Sequence, residues 1–269
     1  MKNPLGKPTK YSASYNASLL FPIARQDKRK EIAIENKKLP FHGIDCWNAY
    51  EISWLGPKGK PEVRLGRLLI PADSPNIVES KSLKLYLNSF NQSIFQNEEE
   101  VKSTIGHDLN KILGCEIKLE LFHISDWQSF AIKDWDGTCL DSLDVSIDNF
   151  NLNPDLLAIK NEQKTETLYS HLLKSNCLVT NQPDWASVLI KYSGPQIDHE
   201  SLLKYLISFR EHNEFHEQCV ERIFQDLLTH CQCEKLTVYA RYTRRGGLDI
   251  NPFRSNFEDF PMHHQIARQ

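Results

Sequence analysis

The sequence has 269 residues, of which 40% are hydrophobic and 10% aromatic, enough apolar side chains for about two domains with buried cores. This composition excludes a wholly disordered chain. With 32 Lys and Arg against 35 Asp and Glu, the formal net charge is -3, a balance without the basic excess that a nucleic-acid-binding protein usually shows. A small molecule or another subunit is the expected partner.

No run of about 18 apolar residues occurs, so no membrane span is predicted. Leu19 to Ala24 is too short for the core of a signal peptide and is interrupted by Pro22. The seven cysteines are scattered and odd in number, which favours reduced thiols and a cytoplasmic location. We therefore expect no direct contact with membrane or nucleic acid.

Two segments of the chain resemble each other. Residues 79–90 read ESKSLKLYLNSF and residues 198–209 read DHESLLKYLISF. The apolar side chains in both recur at i, i+3, i+4 and i+7, the pattern of an amphipathic helix with one buried face. Each segment therefore predicts a helix packed on a core.

The predicted elements around these helices also correspond. A strand precedes each helix, a second helix follows it, and another strand follows that, so each half is an α+β unit. Asn97 is the expected N-cap of the first half's second helix, with Glu100 as its capping-box partner. The paired elements are strands at Leu69-Ile70 and Val188-Leu189, helices from Glu98 to about Leu113 and Glu217 to about His230, and strands at 116–122 and 235–240.

We predict a first repeat at residues 1–127, a polar connecting segment at 128–170 and a second repeat at 171–269. Each repeat would be an antiparallel sheet with two helices on one face. A pseudo-twofold axis would relate the repeats, and their sheets could pair edge to edge or close into a ring.

The two halves differ where polar side chains cluster, and Cys177 lies in such a place. The second half carries Asn176-Cys177 followed by Gln182-Pro183-Asp184, whereas the equivalent turn of the first half, at residues 56–59, has no cysteine. Most isolated cysteines are small buried hydrophobic residues. The polar, loop-like context instead favours a reactive thiol, which needs a base or a positive field nearby.

Other polar residues occur in one half alone. Glu79 opens the first helix, and His216-Glu217 belongs to the second half. Each could be a solvated charge at a helix start, stabilised by the helix dipole. Considered together with Cys177, they predict one composite site built by both halves.

Metal and nucleotide motifs are weak by comparison. Cys231 and Cys233 lack a second pair of ligands at zinc spacing, and neither a Rossmann nor a P-loop glycine pattern occurs. Residues 244–247 read RRGG and would suit either an exposed basic turn or a phosphate group.

Taken together, these motifs resemble the NADPH-dependent 7-cyano-7-deazaguanine reductases. The segment from Glu79 to Tyr86 matches that family's signature helix. The segment from Cys177 to Asp184, then residues 215–217, then residues 244–252 follow in the family's order. The resemblance covers nearly the whole chain and is closest to the long, two-repeat branch.

The resemblance implies an α+β fold of tandem tunnelling-fold repeats, a homodimer, and reduction of the nitrile of 7-cyano-7-deazaguanine to an aminomethyl group on the way to queuosine in tRNA. The substrate would be the free base. Two NADPH would be consumed per turnover, because converting a nitrile to an amine takes four electrons, and no metal would be required.

The resemblance also implies residue roles. Cys177 would form a covalent thioimide, with Asp184 as its proton partner. Glu217 and Glu79 would recognise the guanine-like edge, since a carboxylate accepts two parallel N–H donors. The remaining expected contacts are Ser80, Lys81 and His216 with the base, and Lys81, Ser82, Arg245 and Gly246 with NADPH.

Three alternatives stay open from the sequence. A hydrolase could use a Cys177–His216 dyad without NADPH. A cyclohydrolase relative would bind zinc. A purine-binding or scaffold protein without catalysis would keep Cys177 as a buried structural residue.

Overall fold

The computed structural model describes residues 11–12, 14–35, 38–126, 131–261 and 265–269. Within these ranges no helix is both long and apolar enough to cross a membrane. The strands are β1 (Pro22–Ala24), β2 (His42–Leu55), β3 (Pro61–Pro71), β4 (Asn76–Val78), β5 (Lys118–Phe122), β6 (Thr138–Cys139), β7 (Ile159–Ser170), β8 (Lys174–Asn176), β9 (Pro183–Ile197), β10 (Lys235–Tyr242) and β11 (Leu248–Ser255). The helices are α1 (Arg25–Lys30), α2 (Ser80–Asn88), α3 (Glu98–Leu113), α4 (His199–Ser208) and α5 (His216–Cys231).

One large sheet runs through both halves of the chain. Its strand order is β5-β3-β2-β11-β10-β9-β7-β6, with β8 paired to β9. All of these pairings are antiparallel except the short parallel one between β6 and β7. The halves join where β11 pairs with β2, from Leu248 opposite Ala49 to Ser255 opposite His42. The predicted α+β class, with largely antiparallel sheet, is confirmed.

Each half has its own apolar core between the sheet and two helices. In the first half, Leu83 and Tyr86 of α2 pack with Ile105 of α3 against Trp47 and Leu68 of the sheet. In the second half, the equivalent layer is formed by Leu202, Tyr205, Phe224, Val188 and Val238. These helices therefore bury the faces that the apolar spacing predicts. The relation between the halves as tandem repeats, and the boundaries at 127 and 170, stay predictions.

The helix α3 begins and ends where the sequence predicts. The side chain of Asn97 accepts a hydrogen bond from the Glu100 amide at 2.9 Å. Glu100 reaches back to the amide of Gln96, at 2.6 Å, one residue before the expected capping-box position. Gly114 ends the helix with φ 71°, a left-handed conformation that glycine adopts without steric cost.

Strand β7 lies within the stretch 128–170, which the sequence predicts to be a connecting segment. It pairs with β9 from Ile159 opposite Ile197 to Ser170 opposite Val188. Its first seven residues are exposed and mostly polar, so the strand lacks the apolar alternation by which a half-buried strand is recognised. Polar composition of this kind is common near a sheet edge.

Residues 14–34, which we call the N-terminal strap, cross from one half to the other. Asn16 donates its amide to Ser89 Oγ at 3.1 Å, and β1 pairs antiparallel with β4. Farther along, the guanidinium of Arg29 forms two hydrogen bonds with Glu221 of α5, at 2.8 and 2.7 Å. The strap therefore links helix α2 of the first half to helix α5 of the second.

The strap brings charges into a fully buried network. Arg254 lies 2.8 Å from Asp45 and 2.9 Å from Glu221, while Arg25 pairs with Asp45 and Arg29 with Glu221. All five side chains are at most 3% exposed. Because these charges are buried, removing any one of them would leave an opposite charge with less compensation and would destabilise the fold.

Candidate active site

A cavity lies where the two halves meet. A second cavity adjoins it and shares several of its wall residues. The first cavity is lined by apolar side chains suited to the faces of a flat ring, and by polar side chains from both halves. Its polar lining consists of Glu79 and Ser80 from the first half and Cys177, Asp184, Glu214, His216, Glu217 and Arg245 from the second; its apolar lining includes Trp47, Val78, Phe215 and Ile250.

Cys177 lies at the start of the tight turn between β8 and β9. The turn is closed by the Cys177 amide donating to Gln182 O at 2.8 Å and by Asn181 N donating to Cys177 O at 3.1 Å. Burial alone would raise the pKa of the thiol, but hydrogen bonds from the Thr180 side chain and from the amides of Thr180 and Val179 lower it below the usual value. The loop therefore stabilises a thiolate facing the cavity.

Asp184 is the second residue of β9 and lies in the cavity wall. One of its carboxylate oxygens faces His216 and the other faces Arg245. His216 Nε2 is 3.2 Å from Oδ2 and Arg245 Nη1 is 2.9 Å from Oδ1. Burial opposes ionisation, but His216, Arg245 and Lys84 together lower the pKa of Asp184. The carboxyl group is therefore ionised at neutral pH and can accept a proton.

His216 is fixed by stacking as well as by its contact with Asp184. Its ring lies flat on that of Tyr242, with centroids 3.8 Å apart and planes 12° apart. It is the first residue of α5, so the helix start determines where the imidazole points. Its Nε2 faces Asp184. The hydrogen bonds to the Cys177 thiol come instead from residues of its own loop.

Glu217 follows His216 and is 5% exposed. Burial and the neighbouring charge of Asp45 raise its pKa to about 7. One helical turn farther along α5 is Glu221, the centre of the buried charge network. A carboxyl group that changes charge near neutral pH therefore faces the cavity.

The residues expected from the signature helix lie in different surroundings. Glu79 is 2% exposed and caps α2, accepting from the amides of Lys81 and Ser82 at 2.9 and 2.8 Å. Ser80 lines both cavities. Ser82 is buried, where its hydroxyl donates to Glu79 O and accepts from Phe21 N. Lys81 and Ser82 do not line the two adjoining cavities, so their expected contact with NADPH stays a prediction.

Arg245 and Gly246 belong to the hairpin between β10 and β11. Gly246 and Gly247 have φ of 61° and 77°, the left-handed pair that a tight two-residue hairpin requires. A Cβ atom at Gly246 would lie 3.1 Å from Cε of Lys84. The hairpin therefore presents Arg245 to Asp184 and leaves room for the side chain of Lys84.

Lys84 and Glu214 are wall residues that sequence reasoning missed. Lys84 lines the second cavity, and burial together with the nearby charge of Arg245 lowers its pKa. Glu214 is 2% exposed and paired with Arg222 at 2.6 Å. A signal for Lys84 was present, because it follows Ser80 by one helical turn and shares its face. No local pattern marks Glu214.

Comparison with known proteins agrees with these features. A family model described as "Nitrile reductase, 7-cyano-7-deazaguanine-reductase N-term" matches residues 11–121, and one described as "QueF-like protein" matches residues 183–259. Among curated relatives, a protein of Cupriavidus metallidurans is 56% identical over 99% of this chain and 98% of its own length. Proteins of Azoarcus sp. and Hydrogenovibrio crunogenus are 54% and 52% identical, over 96% and 100% of this chain and 92% and 97% of their own lengths.

All three relatives are named NADPH-dependent 7-cyano-7-deazaguanine reductase, an oxidoreductase activity. Identity above one half across almost the full length of both chains confirms the resemblance drawn from the sequence motifs. The chain therefore belongs to the 7-cyano-7-deazaguanine reductase family of nitrile reductases.

Proposed function

We propose that this chain reduces the nitrile of 7-cyano-7-deazaguanine to 7-aminomethyl-7-deazaguanine with NADPH, through a covalent thioimide on Cys177, as a step toward queuosine in tRNA. One observation carries the proposal. A thiol whose pKa is lowered by its own loop faces the same cavity as the ionised Asp184 and the buried Glu217. The residues proposed as nucleophile, proton acceptor and base-recognising carboxyl group thus line one cavity.

Cys177 is the proposed nucleophile. Its sulfur adds to the electrophilic nitrile carbon, one C–N π bond opens, and the nitrogen takes up the proton that Asp184 accepted from the thiol. Asp184 can serve both directions because it faces the cavity and its oxygens are held by His216 and Arg245. The product of this step is a neutral thioimide.

Glu217 is the proposed anchor for the base, with Glu79 and His216 beside it. An ionised carboxyl group accepts two N–H donors in parallel, as a guanine-like N1–H and 2-amino group would present. Trp47 and Ile250 provide apolar walls in the same cavity, suited to the faces of the ring.

The residues present fit NADPH at the mouth of the site. Lys84 and Arg245 lie together where Gly246 leaves space for a side chain to approach, and a groove continues past Lys84, Gly246 and Gly247. Lys84 and Arg245 would hold the phosphates, with Lys81 and Ser82 as the contacts expected from the resemblance. NADPH supplies hydride, two equivalents per nitrile because four electrons are needed.

The intermediate imine must stay in place between the two reductions. The cavity wall comes from both halves, and the proposed base-binding residues Glu79 and Glu217 are 2% and 5% exposed. An enclosed site limits hydrolysis of the imine. The chemistry assigned to Cys177, Asp184 and NADPH requires no metal.

The resemblance supports further proposals about the chain as a whole. Tandem tunnelling-fold repeats at 1–127 and 171–269 would assemble as a homodimer in the cytoplasm, acting on a free base without contacting nucleic acid or membrane. The seven free cysteines agree with a reducing compartment.

The hydrolase alternative is disfavoured by the position of His216. Its Nε2 faces Asp184 and its ring is stacked on Tyr242, whereas the Cys177 thiol is stabilised by its own loop. A dyad would need the imidazole nitrogen to face the sulfur.

The test is the loss of NADPH absorbance when purified protein meets 7-cyano-7-deazaguanine. We expect two NADPH oxidised per nitrile, and no turnover with Cys177→Ala. Intact-protein mass spectrometry without NADPH should show one nitrile added to the wild type and none to Cys177→Ala. Cys115→Ala, at a partly exposed thiol outside the cavity, is the matched control and should behave as wild type. Normal turnover by Cys177→Ala would refute the covalent mechanism, and absence of NADPH oxidation by the wild type would refute the reduction.

A further inference from the structure

Three metal-ligating side chains converge outside the active site. They are Cys139 at the end of β6, Asp141 just after it, and His171 just after β7. One donor atom from each lies within 4.8 Å of the other two, and all three side chains are partly buried. A thiol, a carboxylate and an imidazole are the donor types that zinc prefers.

The cluster lies on the face of the sheet that the helices leave uncovered. Leu168 of β7 and Val188 of β9 pack in the core under the helices, and side chains alternate along a strand. Tyr169, His171 and Ser187 therefore point the other way, whereas Asp184 shares the face of Val188. The cluster and the candidate active site are thus on opposite faces of the sheet.

Neighbouring residues form hydrogen bonds with the side chains of Asp141 and His171. Asp141 accepts from Ser170 Oγ at 2.6 Å and from the His171 amide at 3.0 Å. The imidazole of His171 bonds Ser187 Oγ through Nδ1 at 2.7 Å, which leaves Nε2 for a ligand. Outer contacts that fix the second nitrogen of a histidine are typical of metal sites.

A fourth oxygen donor is close. Asp134 Oδ1 lies 3.9 Å from His171 Nε2 and its side chain is 68% exposed, so it can move toward the cluster. Arg268 is a nearby cation, donating from Nη2 to Ser187 Oγ at 2.9 Å and to the His171 carbonyl at 2.8 Å.

We propose that Cys139, Asp141 and His171 bind a zinc ion, with Asp134 or water as the fourth ligand. Zinc bonds of about 2.0–2.3 Å place tetrahedral donors roughly 3.3–3.8 Å apart, so donor atoms within 4.8 Å of one another need to move by at most about 1.5 Å on binding. A hard cation such as Mg²⁺ is disfavoured because it takes oxygen ligands and keeps its waters.

The site would fasten the stretch 134–141 to the sheet. Residues 138–139 pair with β7 over two positions only, Leu168 and Tyr169, so an ion joining Cys139, Asp141 and His171 adds a cross-link where the backbone pairing is short.

The experiment loads chelator-treated full-length protein with Co²⁺, which takes zinc sites and reports a bound thiolate as a near-ultraviolet charge-transfer band. We expect one equivalent of Co²⁺, displaced by one equivalent of Zn²⁺, and a band that disappears in Cys139→Ser. His171→Ala should weaken Zn²⁺ binding at least about tenfold, and Ser187→Ala about tenfold, because it frees the second imidazole nitrogen.

Cys115→Ser, at another partly exposed thiol, is the control and should keep the band. Circular dichroism shows whether each variant is folded; if Cys139→Ser is not, His171→Ala decides alone. A wild type without the band, a band kept in Cys139→Ser, unchanged metal affinity in His171→Ala, or a band that disappears in Cys177→Ala would overturn the proposal. Nitrile reduction by metal-free protein would leave it standing, since the site is on the other face of the sheet.

Discussion

His216 and Asp184 meet through a single contact of 3.2 Å between Nε2 and Oδ2. The contact joins the first residue of α5 to the second residue of β9. Because Arg245 occupies the other oxygen at 2.9 Å, the carboxylate is ionised and oriented before any substrate arrives. Catalysis should depend on this charge.

Replacing Asp184 with Asn removes the charge while keeping the shape. Adduct formation on Cys177 should slow about 100- to 10,000-fold, the range for losing a general acid–base, while the dissociation constant of the nitrile changes little. Single-turnover mass spectrometry and calorimetric titration measure the two quantities. Asp155→Asn, at an exposed carboxyl group, is the control. A large loss of affinity with unchanged adduct formation would reverse the roles assigned to Asp184 and Glu217.

Glu217→Gln should mainly weaken base binding. Losing a charge-assisted hydrogen bond costs about 1.5–3 kcal/mol, equivalent to roughly 10- to 100-fold in affinity. Since the pKa of Glu217 is raised to about 7, wild-type affinity should increase as the pH rises through 7, and the variant should lose that increase. Titrations of Cys177→Ala, with and without Glu217→Gln, at pH 6 and 8 would show it. Equal pH dependence in the two proteins would contradict the assignment.

The same substitution should stabilise the free protein at alkaline pH. A carboxyl group with a raised folded pKa contributes stability below its unfolded pKa, and that contribution is lost as the pH rises through the folded value near 7. Glu217→Gln should therefore melt above wild type at pH 8, by about 2–4 °C for each kcal/mol recovered. At pH 4, where the wild-type group is protonated in both states, the two should agree closely; this is the internal control.

Lys84→Met should raise the KM for NADPH about tenfold or more, the loss expected for one charged hydrogen bond to a phosphate. The reason is its position in the second cavity, which it lines together with Arg245 and where it lies against Gly246. Lys81→Met is the informative comparison, because the sequence motif favours Lys81 and the cavity favours Lys84. Initial rates at varied NADPH decide. A greater effect at Lys81 would restore the prediction from the motif.

Arg29→Met should destabilise the fold by about 3–5 kcal/mol, because it leaves Glu221 with one buried cationic partner fewer. Urea unfolding measures the change. Lys30→Met on the same helix is the matched control, since its pair with Asp27 is 3.8 Å long and exposed and should cost below about 0.5 kcal/mol. An equal decrease in the free energy of unfolding of the two variants would show that the buried pair stabilises the fold no more than the exposed one.

Local patterns predicted much of this molecule. The helices α2 and α4 were predictable because apolar spacing within a dozen residues determines which face is buried. The composite site was predictable because Glu79, Cys177 and His216-Glu217 occur in one half only. The first inference depends on residues that are close in sequence. The second depends on comparing equivalent positions of the two halves.

Other features depend on contacts that no local window contains. Strand β7 is polar over its first seven residues and is fixed as a strand by pairing with β9. Glu214 reaches the cavity because Arg222, on the next helix, neutralises it. The strap gave no sequence signal, since its partner Glu221 is 192 positions from Arg29.

That separation has a consequence for the order of biosynthesis. At roughly 5–20 residues per second, the ribosome reaches Glu221 about ten to forty seconds after Arg29 has been made. Until then Arg29 lacks its acidic partner, whereas Arg25 can already pair with Asp45, so the strap is anchored to the first half only. The first half can collapse around its own core, but the cavity lacks His216, Glu217 and Arg245 until α5 and the hairpin after β10 have been made. A nascent chain of this protein should therefore acquire its substrate pocket as one of its last folding events.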